Sequence, residues 1–263
     1  MPGIRRFRVL LSVLLTLAAV QSLAHASETG FLNRVVTVGQ DSFKYEVYVP
    51  ANWNRSQKWP VILFLHGAGE RGDDGIIQTE VGIGTAIRRH VERFPAVVVF
   101  PQCRKESRWT DEPMEAQALK ALDATIKEFN GDPARVYLTG ISMGGFGTWG
   151  IAAGHPSRFA ALVPVCGGIR RDVPRTEASQ NSMTPDLYAA TAAKIGATPT
   201  WIFHGDADKS VPVDESRKMN EAIKAAGGNV RYTEYEGVEH NSWDRAYAEP
   251  ELIVWMLSQH LSK

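Results

Sequence analysis

A serine set between glycines, in Gly140-Ile141-Ser142-Met143-Gly144-Gly145, is the part of this 263-residue chain best placed to do chemistry. A serine hydroxyl is a weak nucleophile until it is exposed, oriented and put next to a base. Gly-x-Ser-x-Gly spacing directly after the apolar run Val136-Tyr137-Leu138-Thr139 predicts a sharp strand-to-helix turn that presents the side chain. The glycines relieve the crowding of such a turn. Phe146 to Ala153 contain no proline and can continue as a helix whose N-terminal dipole faces the serine. An acid and a base follow. The apolar run Trp201 to Phe203 leads through His204-Gly205 into Asp206-Ala207-Asp208, and the strand-like Val230 to Tyr235 precedes Gly237-Val238-Glu239-His240. With Asp208 as the acid, the order is serine, acid, histidine, at gaps of 66 (208 − 142) and 32 (240 − 208) residues. Asp206 is the alternative acid. As bases, His66, His155 and His204 are weaker: the first belongs to a glycine-rich turn, the second ends a helix, and the third ends a strand.

An acyl-transfer site also needs donors for a developing oxyanion. The N–H of Met143, next after the serine, is one candidate. The other is the N–H of Ala68, in His66-Gly67-Ala68-Gly69-Glu70 at the end of the apolar run Val61 to Leu65. Glu70, Arg71 and Asp73 are placed to shape that loop. Trp109 and Trp243 could line a cleft, since an indole offers a flat face to sugar or aromatic groups, although packing competes as a role for Trp243. Arg170 and Arg171 could meet an acidic substrate, but solvated surface arginines are the commoner case. No metal-ligand spacing such as His-x-x-x-His occurs, so neither a metal nor another cofactor is expected.

Elements that could hold these residues alternate along the chain. Arg34 to Val38 and Phe43 to Val49, around Gly39-Gln40-Asp41, predict an opening antiparallel hairpin. After Val61 to Leu65 come strand candidates at Ala96 to Phe100, Val136 to Thr139, Ala161 to Val165, Thr200 to His204 and Val230 to Tyr235. Helix candidates fall at Glu112 to Phe129, Phe146 to Ala153, Asp214 to Ala226 and Asp244 to Leu261. The pattern predicts an α/β fold with a mostly parallel sheet, helices on both faces, and the chemistry at the strand C-termini. Gly167 to Ile195 is short for a lid, polar at first and expected to be helical from Asp186, so the site should be open.

His66 to Asp74, Phe100-Pro101-Gln102-Cys103, Gly140 to Gly145, His204 to Asp208 and Gly237 to Trp243 together resemble an α/β-hydrolase of the phospholipase/carboxylesterase and dienelactone-hydrolase-like group. The likeness is strongest to its secreted, prolyl-oligopeptidase-like esterase branch, and these motifs span residues 61 to 243. The resemblance implies the α/β-hydrolase fold, a Ser142–His240–Asp208 triad with Asp208 favoured over Asp206, and a carboxylesterase that needs no cofactor. Asp206 then braces its loop. Glu239 departs from the pattern, which usually has a small residue before the histidine. The strand order implied by the family puts two strands between Cys103 and Cys166, about 14 Å at ~4.8 Å per strand. A disulfide needs Cα atoms within about 7 Å, so two free thiols are expected.

The N-terminus reads as an export signal over residues 1–26: Arg5, Arg6 and Arg8, an apolar core from Val9 to Val20, and Ala24-His25-Ala26 as a cleavage site. An uncleaved anchor is the alternative. Cleavage leaves residues 27–263 as one catalytic domain, secreted or periplasmic and without stable membrane association. Lys and Arg total 29 and Asp and Glu 29, and removing three arginines leaves 26 against 29, about −3. No basic cluster remains, so nucleic acid is not an expected partner. The expected substrate is a small-molecule or polysaccharide-linked ester with a short acyl, acetyl or feruloyl group. A peptidase using the same triad, or a non-catalytic binding protein on this scaffold, are the rival readings.

Overall fold

A computed structural model describes residues 28–169 and 186–261. The expected export signal and Arg170 and Arg171 lie outside these residues, as does most of the expected lid segment. Eight strands form one sheet in the order β1-β2-β4-β3-β5-β6-β7-β8. They are β1 (Gly30–Val38), β2 (Asp41–Val49), β3 (Trp59–Leu65), β4 (Val97–Pro101), β5 (Gly131–Ile141), β6 (Ala161–Val165), β7 (Thr200–Gly205) and β8 (Val230–Tyr235). The β1–β2 and β2–β4 pairs are antiparallel. Every pairing from β4 through β8 is parallel.

Burial on both faces explains why the central strands are unbroken apolar runs. Val61, Leu63 and Leu65 of β3 face one core, with Met114, Ala118 and Leu122 of α2 (Glu112–Glu128), Trp149 of α3 (Met143–Gly154), Ala192 of α4 (Leu187–Ile195) and Met219 of α5 (Asp214–Ala225). Ile62 and Phe64 face the other, with Ile83 and Ile87 of α1 (Ile83–Arg89), Tyr247 of α6 (Trp243–Ala248) and Trp255 of α7 (Pro250–Leu257). Asp186 caps α4 by accepting from the N–H groups of Tyr188 and Ala189, as a helix starting there requires.

Strands β1 and β5 extend beyond their expected starts, to Gly30 and Gly131, and two helices differ from the pattern expected from sequence. The last helix is not continuous, because Pro250 cannot donate to the preceding turn, and it starts α7 afresh with Glu249 as its cap. Helix α1 escaped notice: it has only seven residues, and its Gly84 and Thr85 dilute the apolar period.

Helix α3 approaches β3 so closely that a Cβ on Gly144 would overlap the carbonyl oxygen of Leu65. Gly69, in the loop beyond β3, has open space around it. Gly144→Ala is therefore expected to cost about 3 kcal/mol or more, a fall of roughly 10 °C in Tm, whereas Gly69→Ala should stay within about 0.5 kcal/mol of wild type. Thermal unfolding of the two variants side by side checks this.

Candidate active site

Strand β5 ends at Ile141, and Ser142 turns the chain directly into α3 with φ of 50° and ψ of −116°. Positive φ is unfavourable for a residue with a Cβ. The turn is held by the Ser142 N–H, which donates to Val165 O of β6 at 2.9 Å, and by Phe146 N–H, which donates to Ser142 O. The helix thus begins at Met143, whose N–H is among the first-turn donors that no helical carbonyl can satisfy.

His240 and Asp208 arrive from the loops after β8 and β7. His240 Nε2 lies 2.8 Å from Ser142 Oγ, and His240 Nδ1 lies 2.7 Å from Asp208 Oδ2. The Asp208 side chain is fully buried, and its Oδ1 accepts from the N–H groups of Ser210 and Val211 at 2.8 and 2.9 Å. Burial alone pushes this carboxyl up, but hydrogen bonds from His204, His240 and Val211 outweigh it and hold Asp208 well below the usual carboxylate range. Asp206 turns elsewhere: its Oδ1 accepts from Gly237 N–H at 2.7 Å, which ties the β7 loop to the β8 loop.

His204 is buried behind the acid. Its Nε2 faces Asp208 Oδ2 at 3.2 Å and Val211 O at 3.0 Å, both acceptors, so that nitrogen carries the proton. Nδ1 then accepts from the Ser216 hydroxyl at 2.7 Å. This bracing role was not read from the sequence. Nothing short of the fold places His204 under Asp208 rather than in a strand interior.

The loop after β3 shows the same economy. Cys103 N–H donates to His66 Nε2 at 2.9 Å, so Nδ1 holds the proton and donates to Gly67 O at 2.6 Å. Because a trans peptide sets its C=O and N–H on opposite sides, anchoring Gly67 O also fixes the direction of the Ala68 N–H. Arg71 Nε holds the next carbonyl, Ala68 O, at 3.0 Å. Gly67 lies against Ser142, with its added Cβ 3.7 Å from the serine Cβ, so this loop borders the hydroxyl.

Trp109 does not line a cleft. It is fully buried, its Nε1–H donates to His66 O at 2.9 Å, and its ring meets the His66 ring edge-on at 4.9 Å. An indole enclosed between α3 and the β3 loop supports that loop from below and cannot meet substrate. Trp243 is half-buried and stands edge-on to His240, with ring centroids 5.5 Å apart. Glu239 points to Lys209 in an exposed, 3.9 Å pair. His155 pairs with Glu115, away from the serine loop. Both cysteines are free and buried. Among the described residues, one group brings metal-ligating atoms together: Cys166, Asp208 and His240.

The profile of the prolyl oligopeptidase family matches residues 106–258, more than half of the sequence and all three members of the hydrogen-bonded chain. The chain belongs to the prolyl oligopeptidase family. Its fold is that of the α/β-hydrolases. A crystal structure of a thermostable esterase aligns with a TM-score of 0.74 and 32% identity, covering 88% of this chain and 63% of that one. Acetylxylan esterase A of Emericella nidulans is 24% identical over 210 residues, 69% of this chain and 67% of that protein. An uncharacterized secreted protein of Arthroderma benhamiae is 26% identical over 216 residues, 72% of this chain but only 22% of its own length. The chain thus spans only part of the length of the secreted protein and of the thermostable esterase.

Burial pushes the His66 imidazole down to about 4, although the hydrogen bond to Gly67 O opposes the shift. An unfolded chain takes up that proton below about pH 6.5, the folded chain only below about 4, so unfolding consumes a proton between those values. Stability from this group is thus complete above pH ~6.5 and falls by about 3 kcal/mol as the pH drops to 4. Urea unfolding across this range should show the loss, and His66→Gln should flatten it while lowering stability at neutral pH.

Proposed function

We propose that this protein is an exported serine hydrolase that cleaves carboxylic esters, with short acyl groups such as acetyl on small molecules or carbohydrate as its substrates. One observation carries the reading: Asp208, His240 and Ser142 are joined end to end by hydrogen bonds of 2.7 and 2.8 Å at the mouth of a strained turn. Asp208 keeps the proton of His240 on Nδ1, which leaves Nε2 free to accept from the serine. In the proposed reaction Ser142 Oγ attacks the ester carbonyl carbon as its proton passes to His240 Nε2. The N–H groups of Met143 and Ala68 receive the oxyanion. Collapse expels the alcohol, which takes the proton back from His240, and water repeats the cycle on the acyl-enzyme.

The acetylxylan esterase and thermostable esterase relatives support ester over amide substrates. Export is supported by the Arg-rich, apolar N-terminus and by the secreted relative. Among the described residues no helix is long and apolar enough to cross a membrane. The family's own description keeps amide cleavage as the second reading. p-Nitrophenyl acetate should be turned over far faster than aminoacyl p-nitroanilides, and the reverse preference would make the protein a peptidase.

Asp208→Asn should leave the fold intact yet lower kcat by roughly 10⁴-fold, because the amide favours the wrong imidazole tautomer. Asp206→Asn, at the loop brace, should lower it far less. Steady-state kinetics on both variants separates the two aspartates.

A further inference from the structure

Cys166 follows β6 in a left-handed backbone conformation, φ 40°, with its N–H donating to Phe203 O at 2.8 Å. That geometry turns its side chain under the Ser142 loop and against Asp208 and His240. One ligating atom from each of Cys166, Asp208 and His240 lies within 4.8 Å of the other two. The esterase chemistry uses the acid and the base but gives the thiol nothing to do. A second polar group nearby is also without a task. The Ser242 hydroxyl is fully buried, lies against the Cys166 thiol, and has no hydrogen-bond partner of ordinary geometry.

We propose that Cys166, Asp208 and His240 form a site for a thiophilic divalent cation, Zn²⁺ or Cd²⁺, whose binding switches the hydrolase off. This rests on the ester-cleaving function proposed above. Thiolate, imidazole and carboxylate are the donors that borderline-soft cations take, and the sulfur selects against Mg²⁺ and Ca²⁺. Bonds of about 2.0 to 2.3 Å in a tetrahedral site put ligand atoms roughly 3.3 to 3.7 Å apart, so the cluster must contract by about 1 Å. Asp208 is already oriented by two backbone N–H groups, as a metal-binding carboxylate needs. Access runs past His240, whose side chain is 26% exposed.

Binding releases the thiol proton to solvent. At His240 Nδ1 the cation replaces the proton shared with Asp208, which passes to Nε2 and fills the lone pair that accepts from Ser142; at Nε2 the cation occupies that lone pair itself. Either way the proton path is broken, so the ion acts as an inhibitor and not as a cofactor.

The experiment titrates the full chain with Zn²⁺ and with Cd²⁺ in chelator-free buffer, following p-nitrophenyl acetate hydrolysis and the ultraviolet thiolate-to-cadmium charge-transfer band. Wild type and Cys103→Ala should show the band and be inhibited, with EDTA restoring the rate. In Cys166→Ala the band should vanish, and the inhibitory concentration, read against that variant's own uninhibited rate, should rise at least about tenfold. Cys166→Ser serves the same purpose where the alanine variant does not fold. A band that is missing in wild type, or that survives with unchanged inhibition in the Cys166 variants, overturns the proposal. If no ester is cleaved at all, the functional reading fails on its own, while the band and its loss still decide the cation site.

Discussion

The backbone at Ser142 sits where an L-residue is rarely found, and holding it there costs about 1–3 kcal/mol. The rest of the site is arranged around that one turn. The turn persists because its neighbours leave no alternative. Its N–H is tied to β6, and glycines at 140 and 144 let α3 settle directly onto β5 and β3. Gly145 meets Gly167 backbone-to-backbone, with an added Cβ at 2.7 Å, which locks the helix start against the segment that follows β6.

Rigid delivery of the partners depends on buried imidazoles that do no chemistry themselves in this reading. His204 fixes Asp208 from behind, and His66 fixes the peptide that precedes Ala68. Each ring has a determined tautomer because one of its nitrogens faces a group of unambiguous character: a carboxylate and a carbonyl for His204, an amide N–H for His66. Buried polar networks of this kind stabilise only when fully satisfied. They place the hydrolase machinery on strand ends and short tight loops, where small displacements cost most.

Much of this was legible in the residues. Alternating apolar runs located the sheet, and β6 begins and ends where its composition says it should. Glycine spacing located the turn, and chain order suggested which histidine would meet the serine. What escaped had physical reasons. Trp109 carries the same side chain whether it faces sugar or core, and only the packing of α3 against the β3 loop decides between them. The family resemblance favoured Asp208 over Asp206, but the partner of the latter, the Gly237 N–H, is a tertiary contact that no local pattern names. The thiol of Cys166 approaches Asp208 only because β6 and β7 are neighbours in the sheet.

In the proposed mechanism Ser142 becomes a nucleophile because His240 accepts its proton. Acid-quenching the protein during turnover of p-nitrophenyl acetate and mapping its peptides by mass spectrometry tests this most directly. One added acetyl group is expected on the peptide carrying Ser142, present in wild type and lost in His240→Ala. An acetyl group found on another residue, or the same yield without His240, would contradict it.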